Sequence, residues 1–168
     1  MNKNLMLISL LGLCMSLNCV SLAPLETRQK SYIKELSGIS KKKAYESAQV
    51  WFSKSFNDSK SVIQLRDESE SRIIGKGILQ CDVSYLPTEA DASHHDFIID
   101  FQAKENKIRI KIENILSYRI HPINREKIIW GPRSVEDVEK TFIKCFEPLI
   151  IIPLFDSITG KSSNDDNW

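Results

Sequence analysis

The segment from Asp96 to Ile115 constrains the fold most. Phe97, Ile99 and Phe101 alternate with Ile98, Asp100 and Gln102; after Lys104-Glu105-Asn106 the pattern resumes, Ile108, Ile110 and Ile112 against Arg109, Lys111 and Glu113. Successive side chains on a strand point to opposite faces, so each stretch predicts a strand with one apolar side. An antiparallel sheet built this way has one dry face and needs cover on that side alone.

The rest of the chain supplies partners and cover. Ser61 to Arg66 and Arg72 to Tyr85 read as strands joined through the polar turn Asp67-Glu68-Ser69-Glu70. In the second of these, Ile73, Gly75, Gly77, Leu79, Cys81 and Val83 share a face. Two glycines there admit a closely packed helix or a ligand. Packing by Trp51 and Phe52 is the expectation, with a ligand site at Gly75 and Gly77 as the alternative. Ser40 caps a predicted helix whose stripe is Ala44, Tyr45, Ala48, Trp51, Phe52 and Phe56, stopped by Asn57-Asp58-Ser59. A short extended piece is expected at Lys127 to Trp130. Ser134 with Asp137 starts a second helix carrying Val138, Phe142, Cys145 and Phe146, with a boundary or kink at Glu147 before Pro148. The expected fold class is α+β: an antiparallel sheet of about four strands with two helices on one face, in the order helix, strands, helix.

At the N-terminus, Lys3 precedes an apolar run from Leu5 to Leu17. Such a run is shorter than the ~17–25 residues that cross a bilayer as a helix, so residues 1–18 read as a secretory signal. Ser16-Leu17-Asn18-Cys19 resembles the bacterial lipobox of the permissive spirochaetal type, although Asn18 stands where a small residue is usual. That resemblance implies that Cys19 is acylated and becomes the new N-terminus. Acyl chains bury about 0.8 kcal/mol per methylene, and more than one chain holds a protein stably. Residues 19–38 then form a tether, 39–155 the domain and 156–168 a flexible tail. The expected location is the cell envelope, on the periplasmic side or the surface.

Composition narrows the function classes. Loss of Lys3 from 23 basic residues leaves 22 against 22 acidic ones, a balance unlike that of a nucleic-acid binder. Cys81 and Cys145 both sit in apolar periodic stretches and are expected as buried free thiols, with a disulfide as the alternative. No CxxC or clustered Cys/His spacing suggests zinc, and no cofactor is expected.

The helix with Tyr45, Ala48 and Trp51, the strand Ile73-Ile74-Gly75-Lys76-Gly77 and the strand containing Arg109 together resemble a bacterial exported family known as a domain of unknown function with TBP-like fold. The resemblance spans roughly Ile39 to Glu147. It implies a curved antiparallel sheet gripping helices on one side, and it brings no catalytic residues and no DNA binding.

Two further groups are candidate sites. In His94-His95-Asp96, His94 and Asp96 share one side of an extended chain and His95 takes the other. The run Leu149, Ile150, Ile151, Ile152, Pro153, Leu154, Phe155 is apolar all round, so it either completes the core or docks another envelope protein or lipid. No nucleophile elbow, phosphate loop or H-E-x-x-H motif occurs. These readings converge on a non-catalytic, lipid-anchored binding or scaffolding module. A periplasmic small-ligand domain is the alternative, and a hydrolase, pairing Cys81, Cys145 or a serine with a histidine such as His121, the less favoured one.

Overall fold

The computed structural model describes residues 21–56, 62–84 and 92–161. The leader with Cys19, the Asn57-Asp58-Ser59 stop and the end of the tail lie outside these residues. The elements are β1 (Lys30–Glu35), α1 (Lys41–Ser55), β2 (Val62–Asp67), β3 (Arg72–Val83), β4 (Ala92–Lys104), β5 (Lys107–Ile120), β6 (Lys127–Gly131), α2 (Val135–Thr141), a π-helix (Phe142–Ile151) and α3 (Ile152–Thr159).

The alternating segments form the centre of an antiparallel sheet ordered β1-β5-β4-β3-β2, with β6 also on β5. Lys30 to Glu35 pair with Ile112 to Lys107, and β6 pairs with Ser117 to Ile120 further along the same strand. Asn114, at φ 58°, sits between the two paired stretches, beside the register break with β4. Among the described residues the sheet therefore has six strands rather than four. A strand also precedes the first helix, and the helical elements gather mostly at the C-terminal end, which corrects the expected helix, strands, helix order.

One face is dry. Ile73, Ile99, Phe101, Ile108, Ile110 and Ile112 are fully or almost fully buried beneath α1 and the C-terminal helices. The other face is polar: Asp100 accepts bonds from Arg72 (2.8 and 2.9 Å) and Arg109 (3.2 Å). The buried Asp100 carboxylate is thereby held by two guanidinium groups, the pairing a desolvated charge requires.

Helix α1 starts as its sequence predicts. The Ser40 side chain accepts from the Lys43 amide, and Ala44, Tyr45, Ala48 and Phe52 are buried. Phe56, just past its end, lies over the glycines: a β-carbon at Gly75 would stand 2.9 Å from its ring, and one at Gly77 would stand 3.0 Å from Phe97 and 3.3 Å from Phe56. A reciprocal capping box joins Ser134 and Asp137 at the start of α2.

Beyond α2 the chain departs from expectation. Glu147 is no boundary, because the helical path continues through Pro148 as a π-helix and then α3. Proline's ring clashes with the carbonyl four residues back in an α-turn, and the wider π turn relieves that crowding. Burial of Leu154 and Ile158, one turn apart, carries the helix into the stretch expected as a tail, until Gly160 ends it at φ +72°.

Candidate functional site

The β1 strand lies at the edge of the sheet, paired with β5 on one side. An edge strand presents main-chain donors and acceptors to a further strand. Ile33 on this edge is 66% exposed. Tyr32 and Lys34, on the opposite side of the strand, line a groove of about 340 Å³ whose other wall is Glu147, Ile151, Ile152 and Phe155.

The π-helix and α3 together build this wall. Of the seven-residue apolar run, Ile150, Ile151 and Leu154 are buried in the core, whereas Leu149 (45%) and Ile152 (54%) remain exposed. Phe155 is half-buried at the groove, with the Lys34 ammonium 6.0 Å above its ring. The run is thus shared between core and surface.

The polar end of the groove is a hydrogen-bonded cluster. The Tyr32 hydroxyl donates to Glu147 Oε1 at 2.8 Å, and Lys30 Nζ lies 3.2 Å from the same oxygen and 2.6 Å from Glu139 Oε1. The Tyr32 bond, followed by Lys30, holds the Glu147 carboxyl below the usual carboxylate range, although partial burial opposes this. Burial, reinforced by Glu147, pushes the Tyr32 hydroxyl well above the normal phenol value. A neutral donor, an ionised carboxylate and the Lys34 ammonium therefore stand over an apolar floor. That combination suits recognition of an extended chain with alternating apolar and polar side chains. A larger, more polar hollow of about 670 Å³ lies at the start of α1, but there Ser40 and Glu105 already accept amides of the helix N-terminus.

The remaining candidates separate onto the two faces of the sheet. On the polar face, His94 stacks on Tyr118 with centroids 5.3 Å apart and contacts Gln80 at 3.2 Å. Asp96 accepts from the Tyr118 hydroxyl (2.9 Å) and from Lys127 (3.0 Å). His95 points into the core, where Nδ1 is 2.8 Å from Ser117 Oγ and Nε2 is 2.7 Å from the Cys81 carbonyl oxygen. That carbonyl only accepts, so Nε2 carries the ring proton and Ser117 donates to Nδ1. Burial pushes the His95 imidazole below its ordinary value, and the Cys81 carbonyl offsets part of the effect. His121 stays in a loop, accepting from the amides of Ile123 and Asn124.

The expectation of free thiols is corrected: Cys81 and Cys145 form a disulfide, with Cα atoms 5.9 Å apart. Packing of the π-helix on β3 brings them together across 64 residues of sequence. Cys145 and Ser117 beside His95 are both fully buried. Sequence reasoning missed Tyr32 and Lys34, and it held the disulfide only as the alternative. The alternation within Lys30-Ser31-Tyr32-Ile33-Lys34 is the signal that locates both residues.

Comparison with known proteins agrees with this architecture. No curated protein matches the sequence significantly. A TBP-like protein from Parabacteroides distasonis superimposes with a TM-score of 0.61 at 14% identity, over 81% of this chain and 96% of that one. A DUF4468 family protein from Bacteroides ovatus gives 0.56 at 16% identity, over 88% and 93%. At such identities these similarities show the fold alone. The family model described as a domain of unknown function (DUF4468) with TBP-like fold matches residues 32–118, more than half of the chain, and the chain belongs to that family.

Proposed function

We propose that the protein is a lipid-anchored envelope protein whose domain acts without catalysis, as a binding module that takes an extended segment of a partner protein along β1. The observation that carries this reading is the edge of β1, unpaired among the described residues, lying against an apolar groove on which Ile152 is exposed. A segment added there gains main-chain bonds to β1, places alternate apolar side chains on Ile152 and Phe155, and sets an acidic side chain near Lys34. Lys30 is engaged by Glu139 and Glu147, which leaves Lys34, among the described residues lining the groove, as the cation facing a ligand.

The envelope location rests on the leader with Cys19 and gains support from the Cys81–Cys145 disulfide, since disulfides persist mainly in oxidising compartments. An anchor and tether raise the local concentration of a binder at a surface. The glycine face, the place for the small-ligand alternative, is filled by Phe56 and Phe97.

Short synthetic peptides with alternating apolar and acidic residues test the groove against peptides with basic residues instead. The acidic series is expected to bind better and to lose binding when its ladder amides are N-methylated. Equal binding of both series, or indifference to N-methylation, refutes strand addition. Radiolabelled palmitate tests the anchor: label is expected in the wild type and absent in Cys19→Ala, and no label in either refutes acylation.

A further inference from the structure

Three metal-ligating side chains from three different elements meet beneath the sheet. The donor atoms of Cys81 (β3), His95 (β4) and Cys145 (π-helix) all lie within 4.8 Å of one another. We propose that the reduced form of this cluster is a three-ligand site for a thiolate-preferring divalent cation of the zinc type, and that metal and disulfide compete for the same two sulfurs.

The geometry requires the Cys81 side chain to move. Tetrahedral coordination, with metal–sulfur bonds of about 2.3 Å and metal–nitrogen bonds of about 2.0–2.1 Å, sets donors roughly 3.3–3.8 Å apart. Cys145 Sγ and His95 Nε2 are already 3.9 Å apart. The two sulfurs must separate, and Cys81 Sγ, within 4.8 Å of the other two donors, must swing toward His95; Cys81 stands where the chain has slack. The β3–β4 register breaks between Gln80 and Val83, so Cys81 and Asp82 face no β4 partner in the ladder. The half-exposed Cys81 side leaves room for water as the fourth ligand, the arrangement of an open zinc site.

The surroundings suit a metal in two further respects. A ligating imidazole must present an unprotonated nitrogen and is held through its other one. Ser117 supplies that hold, because its hydroxyl both accepts and donates. When the ring proton moves from Nε2 to Nδ1, the 2.8 Å contact reverses direction and persists. The bond given up is the one to the Cys81 carbonyl, at the break in the ladder. Two thiolates also neutralise a divalent cation, so the buried site carries no net charge.

The chemistry balances as follows. A dithiol reductant gives two electrons and two protons to the Cys81–Cys145 bond and leaves as its own disulfide. The cation then displaces one proton from each thiol, while His95 binds as the neutral ring.

The test is anaerobic titration of the whole protein with Co²⁺, after reduction by a phosphine that does not bind the metal. One equivalent is expected to produce the thiolate-to-cobalt absorption of a tetrahedral site, and Zn²⁺ to bleach it. The oxidised protein and Cys145→Ser should show no such band, and Ser117→Ala should weaken binding roughly 10- to 100-fold. A reduced protein with native circular dichroism and no cobalt band overturns the proposal, as does a band that survives Cys145→Ser. If reduction loosens the fold, the thermal melt decides: a bound ion must raise the reduced protein's melting temperature, and a melt unmoved by Zn²⁺ overturns the proposal equally.

Discussion

Removing the Cys81–Cys145 bond is the perturbation whose size the structure fixes best. The bond closes a loop of 64 residues between β3 and the π-helix, tying the sheet to its helical cover. Loop closure of that length removes about 14 cal/mol/K of chain entropy from the unfolded state, or about 4 kcal/mol at 25 °C. Against the roughly 5–15 kcal/mol that holds a domain together, the reduced protein should be weakened but still folded. The melting temperature should fall by roughly 8–16 °C. Urea unfolding of the wild type, Cys81→Ala, Cys145→Ala and the double variant measures the effect. Either single change breaks the same link, so each single variant should lose nearly as much as the pair, a strong departure from additivity. Two small, additive losses of about 1 kcal/mol each would show that the cysteines act only by packing, and would refute the loop argument.

Three further outcomes follow from the same structure. Gly75→Ala should cost about 1–3 kcal/mol, because its β-carbon would lie 2.9 Å from a Phe56 ring that is itself held by Phe52 and Phe97; urea midpoints check this, and Phe56→Leu should recover part of the loss. Burial lowers the His95 pKa from its ordinary 6.5, so the unfolded chain takes up a proton before the folded one does. Stability should therefore be level above that value and fall as pH drops below it, a slope that His95→Gln should flatten in melts across the range. Tyr32→Phe should cost about 0.5–1.5 kcal/mol at neutral pH, and a double-mutant cycle with Glu147→Gln should recover the coupling. Since Glu147 is held below its ordinary 4.5, that coupling should weaken once acid protonates the carboxylate and leaves it a neutral acceptor.

The central sheet was legible because Ile108, Ile110 and Ile112 alternate with charged residues, and a one-sided sheet imposes that pattern directly. Caps were equally legible, since Ser40 and Ser134 act on amides three residues away. β1 was hidden in the expected tether, because an edge strand buries little and its lysines and glutamate read as solvated linker sequence. Pro148 misled for a local reason: proline argues against an α-helix and says nothing about a π turn that accommodates it. Only half of the groove was visible. The Leu149 to Phe155 run stood out as too apolar for one buried face, whereas its opposite wall, Tyr32 and Lys34, comes from a strand over a hundred residues earlier. Pairing of Cys81 with Cys145 is likewise a tertiary fact that spacing alone does not determine.

Amide hydrogen exchange in the presence of the alternating apolar-acidic peptide addresses the proposed binding edge most directly. Slowed exchange in Lys30 to Glu35, with the amides around Gly75 and Gly77 unchanged, is the expected result. Protection centred on the glycine face of β3, or none in β1, would contradict it and return the small-ligand reading to the front.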